Sequence, residues 1–526
     1  LEDICSHDTA LKSFADWKQA SLDFRSANVN SCKSCKYVKL FDIKFDGRLD
    51  NYIFRNCWHN DVVSLHNRYL ADTKPYLEDK IDETLVTECL DELVALLKSC
   101  IRDGPIKLKD YVFSKTGKLR NRYHRAAQRI LGKDKTLWSV SRMSAFIKLE
   151  LFSEIKPPRT IMGRDPRFGL IYALYCAVIE EAMSKLPEIA KGKNFKERGE
   201  AFRTLIWNKT MLEGDMSKYE GSLREQVLEW ELYIAKGLFS EYDYEMFKAC
   251  WLVKYHKVGC TSSNVQFKFC ACRGSGDMDT GLFNTLINWV LCRYFEKVNK
   301  LGVRRFFVDG DDNLINGMGK SHFIDTFAYF GFDCKLKVRR DYHELEFCSS
   351  KFIQYSPGNF MQVQNLAKLL SNVFVIKNRK FDNCRGEYMT SLGYMYYKLY
   401  GDLPVYSNLA QMLMASGSQL KTRRMNAELL REINPMTLAA TNTQPISCDK
   451  ITAFTEIIMS SNLSSVELSS IMHTLDSTII PLTTATDRRY RAGMKDNQID
   501  TYMLDAAQLK VEHMLEQQSM TNWYNL

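Results

Sequence analysis

Residues 304–316 read Arg-Arg-Phe-Phe-Val-Asp-Gly-Asp-Asp-Asn-Leu-Ile-Asn, which crowds Asp309, Asp311 and Asp312 into one short stretch. Carboxylates this close repel one another, and the usual reason to gather them is a divalent cation. A solvated acidic turn is the alternative for this stretch alone. Another acid, Asp215, stands near the end of the run 205–220, with Glu220 beyond it. A carboxylate at a strand end beside an acidic turn would complete a site for two metal ions. Two such ions stabilise the attacking and leaving oxygens of an in-line phosphoryl displacement.

Three further groups bear on that chemistry. Lys148, Lys156, Arg159, Arg164 and Arg167 recur along residues 146–168. Arg offers a fork of donors and Lys a point charge, so polyphosphate is the natural guest, with solvated surface charge as the alternative. Ser275, Thr280 and Asn284 are uncharged hydrogen-bonders in and just after the glycine-flexible loop 273–281. They suit ribose hydroxyls better than phosphate; helix capping accounts for one of them, not all. Cys32 and Cys35 form a C-x-x-C pair, and Cys57 and His59 a C-x-H pair, with Cys5 and His7 in reserve. Two close pairs joined by a loop supply the four ligands of a structural zinc, and ordinary buried thiols are the alternative.

The elements that must hold these groups are legible in the same sequence. Asp309-Gly310 between apolar runs predicts a hairpin with the acids at its tip. Residues 205–215 read as a strand. Pro157 and Pro158 force an extended segment, in which alternate side chains share a face. Leu282, Leu286, Trp289 and Val290 have helical spacing. Residues 82–103 read as an amphipathic helix, capped by Asp82, with Leu85, Cys89, Leu93, Leu96 and Leu97 as its stripe and Gly104-Pro105 as its stop. Residues 107–129 hold eight basic residues with Tyr111, Phe113 and Tyr123 among them. That mixture suits a single-stranded nucleic acid, whose phosphates need cations and whose bases can stack; a solvated helix face is equally consistent. Residues 322–329 look helical, a strand follows with Lys335 and Lys337, and 351–526 looks mostly helical. Arg423, Arg424, Arg488, Arg489 and Arg491 are basic points near the end.

The chain has 526 residues, which predicts several lobes. Its 72 basic and 63 acidic residues leave a mild excess of +9. Sixteen irregularly spaced Cys with no leader-like segment point to free thiols in a reducing compartment. The longest apolar stretch, 170–183, is short and carries Glu180 and Glu181, so no transmembrane segment is expected. A first residue of Leu leads us to expect a processed product.

Taken together, these stretches resemble the RNA-dependent RNA polymerases of positive-strand RNA viruses, in particular the tombusvirus-, nodavirus- and flavivirus-like group. The segments occur in that family's order. Residues 146–168 look like motif F, and Asp215-Met-Ser-Lys-Tyr-Glu220 looks like motif A. Ser275-Gly-Asp-Met-Asp-Thr280-Gly-Leu-Phe-Asn284 is similar to motif B, and Gly310-Asp311-Asp312 to motif C. Gly331 to Lys337 resembles motif D, and Glu346-Phe-Cys-Ser motif E. The likeness covers roughly residues 110–355.

The resemblance implies an α+β right hand: fingers, a palm built as a split βαβ antiparallel sheet with helices, and a mostly helical thumb. Residues 1–105 would be an N-terminal extension packing on the fingers, with the candidate zinc site. Fingers with motif F would span 106–205, palm motif A 206–225, a fingers insertion 226–272, palm motifs B to E 273–350, and the thumb and C-terminal region 351–526. Asp215 and Asp311, assisted by Asp312, would hold Mg²⁺ (or Mn²⁺). Lys148, Lys156, Arg159 and Arg164 would bind the triphosphate. Ser275, Thr280 and Asn284 would read the ribose or place the template, and Lys335 or Lys337 would protonate the departing pyrophosphate. The group usually has Asp where this chain has Glu220, so Glu220→Asp is expected to retain activity while altering ribose selectivity. Partners would be a single-stranded RNA template, the nascent duplex, NTPs and other viral replication proteins. The location would be host cytoplasm at membrane-associated replication sites. A reverse transcriptase shares such a palm but typically has an aromatic residue in place of Gly310 and lacks this motif B. A nonenzymatic RNA-binding replication or capsid component is the rival of another class.

Overall fold

The computed structural model describes residues 54, 56–70, 73–115, 117–131, 141–151, 157–376, 385–417 and 445–480, with two short strands at Ser21–Asp23 and Val38–Lys39. At its centre is a four-stranded antiparallel sheet. The strands run, in spatial order, Asp333–Arg339, Met211–Ser217, Asp312–Asn316 and Phe306–Asp309. Alternation gives the sheet two unlike faces. Leu212, Met216, Phe306, Val308 and Ile315 join the largest apolar core, together with the helices Pro166–Met183 and Thr280–Asn299. On the opposite face, Met211, Phe307 and Leu314 pack with Phe202, Phe347, Phe352 and Phe360, and the acids sit beyond them.

A second sheet has five strands in the order Ser21–Asp23, Gln266–Cys270, His256–Thr261, Met143–Ile147, Thr160–Arg164. Its pairs are antiparallel except Met143–Ile147 with His256–Thr261. The expected extended segment is thus the hairpin of Met143–Ile147 and Thr160–Arg164. Asp165 caps the next helix by accepting from the Arg167 amide at 2.9 Å, with Pro166 at its first position.

The helix Glu83–Lys98 forms as expected, with Asp82 accepting from the Leu85 amide. Its buried face is Val86, Cys89, Leu90, Leu93, Val94 and Leu97, turned slightly from the predicted stripe, so that Leu85 and Leu96 are only partly covered. The basic stretch becomes two helices, Leu108–Ser114 and Gly117–Leu131. Arg120, Arg122, Arg125 and Arg129 are exposed, but Tyr111 and Tyr123 are core residues packed edge to face. Base stacking on those two tyrosines is therefore corrected: burial wins over display. Phe113 alone of the three is exposed, and the Arg120 guanidinium covers its ring at 4.3 Å.

Two other expectations fail. Residues 322–329 give no α-helix, only the 3-10 turn Phe327–Phe330. Side chains capture the amides a helix would need: Asn299 takes that of Ile324 and Asp325 that of Phe327. Residues 351–364 are not helical but form a hairpin, Ser350–Ser356 with Asn359–Gln364. Beyond it the described chain is helical apart from the short strand Val375–Ile376, which pairs with Val38–Lys39, and its own core gathers Leu366–Val373, Arg385–Tyr400, Tyr406–Ser416, Lys450–Ser461 and Ser465–Ser477. No helix among the described residues is long and apolar enough to cross a membrane.

Candidate active site

The acidic hairpin turns in two residues, Gly310 and Asp311, with Gly310 at φ +65°. A left-handed first turn position favours glycine, which explains Asp-Gly-Asp-Asp at this place. The turn is clamped from behind by the helix Thr280–Asn299. Thr285 Oγ1 accepts from the Gly310 amide at 2.9 Å. Asn288 donates Nδ2 to the carbonyls of Gly310 and Asp312, at 3.0 and 3.1 Å.

Strand register then aligns the charges. Lys335 pairs with Asp215, Asp215 with Asp312, and Asp312 with Asp309. Directly opposed residues share a face, so these four side chains form one row across the sheet. Asp311 stands at the tip, next to the row. Arg198 closes its far end by donating to Asp309 at 2.9 Å. At the near end Lys337 is drawn off to Glu213 at 2.9 Å, whereas Lys335 makes no ion pair among the described residues.

Crowding shows in the acidities. Asp311 is solvent-accessible yet walled by protein; this desolvation, then the Glu220 charge, pushes its carboxyl up to about 6. Burial, then the charges of Asp311, Asp309 and Asp215, lift Asp312 to about 7, against a hydrogen bond from Cys348. Desolvation, then the charges of Asp312 and Asp309, hold the half-buried Cys348 thiol well above its ordinary value. A row of carboxylates that resists ionising together is the donor chemistry a divalent cation relieves. Among the described residues no three or more His, Cys, Asp and Glu side chains converge closely enough to hold a metal ion by themselves.

The basic groups divide. Lys148 and Arg159 meet at Glu150: Lys148 Nζ lies 3.0 Å from Oε2, and Arg159 grips both oxygens. Both cations stay about half exposed, and Arg159 is within electrostatic reach of Glu220. Arg164 departs from its expected role. Its side chain is 3% exposed and donates to Asp277 at 2.7 Å, to the Ser141 carbonyl at 2.7 Å and to the Lys254 carbonyl at 3.0 Å. It fastens the loop 273–279 to the five-stranded sheet instead of facing a triphosphate. Lys156 lies outside the described residues, as do Cys5, His7, Cys32, Cys35, Arg423, Arg424, Arg488, Arg489, Arg491 and the His59 side chain. Of the zinc quartet only Cys57 is described fully, buried at the start of the helix Trp58–Leu65.

The loop hydroxyls divide too. Thr280 Oγ1 donates to the Gly274 carbonyl at 2.7 Å and so closes its own loop. Asn284 is buried, its Oδ1 accepting from Arg273 at 2.9 Å. Ser275, half-buried, makes no side-chain hydrogen bond among the described residues. Beneath them lies a charge network. Arg273 and Lys254 each pair with both Glu231 and Asp279, all four side chains being 0–3% exposed. Burial opposes ionisation of Asp279, but Lys254 and Arg273 outweigh it and hold the carboxyl far below its ordinary value.

Sequence reasoning missed Arg198, Thr285, Asn288 and Cys348. Thr285 and Asn288 carried a faint signal, being polar positions inside an otherwise apolar helix. Arg198 carried none.

A family model described as viral RNA-dependent RNA polymerase matches residues 26–456. The chain is similar to the RNA-directed RNA polymerase of Groundnut rosette virus (strain MC1), at 25% identity over 338 residues, 60% of this chain and 40% of that protein. It is similar to that of Melon necrotic spot virus, at 24% over 351 residues, 61% of this chain and 42% of that one. With that of Pariacoto virus it shares 25% over 242 residues, 43% and 25% respectively. The chain thus spans less than half the length of these curated relatives.

Proposed function

The chain belongs to the viral RNA-dependent RNA polymerase family, and from that premise we propose that it carries out template-directed RNA synthesis for a viral genome. The observation that carries the reading is the in-register row Lys335–Asp215–Asp312–Asp309, with Asp311 at the adjoining turn. Asp215 and Asp311, with Asp312 beside them, would hold Mg²⁺ or Mn²⁺. When bound, the ions supply Lewis-acid stabilisation of the attacking 3′-hydroxyl and the departing pyrophosphate.

The protein's own groups do the rest. Lys148 and Arg159 neutralise and orient the triphosphate. Ser275 offers the loop's open hydroxyl to the ribose or template. Lys335 delivers a proton to the leaving pyrophosphate. Thr285 and Asn288 hold the Gly310 main chain, so the Asp311 carboxylate is placed before substrate arrives. The exposed arginines of Gly117–Leu131 give an RNA template a phosphate track, and binding through it weakens with salt.

The four-stranded sheet with Thr280–Asn299 serves as the palm, the five-stranded sheet and 106–205 as fingers, with 226–272 inserted, and the helices after 364 as the thumb. Replication at membranes of the host cytoplasm, with other viral proteins, completes the reading.

The test is nucleotide incorporation on an RNA template with Mg²⁺ and no primer, followed by an annealed primer. Wild type should extend RNA. Asp215→Ala and Asp311→Ala should lose at least a thousandfold in rate while still shifting RNA on a gel. Extension by either variant at the wild-type rate would overturn the metal assignment, and RNA binding without extension by wild type would favour the nonenzymatic rival.

A further inference from the structure

His66–Leu70 is a single π-helical turn after the helix Trp58–Leu65, in a stretch that none of the motifs covers. Its Arg68 pairs through a terminal guanidinium nitrogen with Oε2 of Glu220, and the two side chains are only 16% and 9% exposed. The main chain is seated as closely. A Cβ on Gly221 would lie 1.8 Å from the Arg68 carbonyl oxygen, so only glycine fits beside Glu220. Tyr69 stacks on Phe269 with centroids 4.9 Å apart, and its hydroxyl accepts from the Ser275 amide at 3.4 Å. Two consecutive residues therefore tie the start of the helix after Asp215 to the loop carrying Ser275. Arg68 also lies within electrostatic reach of Asp311 and Arg159.

Two atoms in this arrangement are left over. Arg68 Nε is buried without an acceptor. Glu220 Oε1 has no hydrogen-bond partner among the described residues, since the pair engages Oε2. A buried donor without an acceptor is costly unless a ligand completes it. Glu also has one more torsion than Asp, so a free Glu220 would sample several carboxylate positions; the ion pair selects one.

We propose that Arg68 determines sugar specificity: it fixes Glu220 so that Oε1 accepts from the ribose 2′-hydroxyl, while its own Nε–H donates to the oxygen of that same hydroxyl. The inference rests on the polymerase reading. A site built to hydrogen-bond a hydroxyl rejects the analogue that lacks it, because its polar groups are then left unpaired. Arg68 is thus a nucleotide-positioning residue outside motifs A to F, and the 2′-hydroxyl is the group it serves.

The experiment measures kcat/KM for an NTP and its 2′-deoxy analogue on one RNA template–primer, for wild type, Arg68→Ala, Arg68→Gln and Glu220→Gln. Arg68→Ala should lower the ribo-to-deoxy ratio at least tenfold, mainly by raising KM for the NTP, with little change for the dNTP. Adding Glu220→Gln to it should cost little more, since both act through one pair. Should Arg68→Ala melt early, Arg68→Gln, neutral and polar but too short to hold Glu220, is read the same way. An unchanged ratio, or equal losses for both sugars, overturns the proposal. A wild-type protein that incorporates no nucleotide overturns the polymerase reading itself, so the two failures are distinct.

Discussion

Lys335 and Asp215 face each other in register across neighbouring antiparallel strands, on the face that also carries Asp312. Lys337, two residues on, is held by Glu213 instead. Sequence alone left the two lysines equivalent; register separates them. Lys335→Ala should slow incorporation about tenfold to hundredfold, within the range of general acid catalysis, and reduce the solvent isotope effect. Lys337→Ala should leave the rate within about twofold, since Lys337 is turned away from Asp215 and Glu213 keeps Arg339 and the Glu346 amide as partners. Equal slowing in the two variants would count against the assignment.

Arg159 and Arg164 should behave as different kinds of residue despite sharing one segment. Arg159→Ala is expected to raise KM for the NTP about tenfold or more with little loss of stability. Arg164→Ala strands the buried Asp277 carboxylate, and breaking a buried pair costs about 3–5 kcal/mol. Its melting temperature should fall well before KM moves. A stable Arg164→Ala with a raised KM would restore Arg164 to the triphosphate.

His343 predicts a pH dependence of stability. Burial opposes its charge, but Glu456 and Asp341 outweigh burial and raise its pKa above the ordinary 6.5. A raised folded pKa means the stabilisation is full below about 6.5, the unfolded value, and is lost as pH rises through the folded value. Melting curves of wild type and His343→Gln should therefore differ more at pH 6 than at pH 9. A gap independent of pH would show that His343 acts through packing alone.

What was legible in the sequence was chemistry confined to short runs. Gly310 between acids announces its turn and Asp82 its helix, because local backbone and capping chemistry decide each. Arg68 and Glu220 stand 152 residues apart, and Arg198 and Asp309 111; only the packed chain brings them together. Arg164 looked like its neighbours because charge is visible in a sequence and direction is not. Tyr111 and Tyr123 misled for the same reason. The hairpin after Ser350 has a local signal of its own, Ser-Pro-Gly-Asn at 356–359 between alternating side chains, which the helical pattern beyond it outweighs.

Glu231, Asp279, Arg273 and Lys254 sum to zero charge and are all buried. Replace any one by a neutral residue and an uncompensated ion remains where water cannot reach it. The four are therefore coupled as a unit: exchanging all of them for apolar residues together should cost less stability than neutralising any one alone, and the foundation under the Ser275 loop tolerates change only in concert.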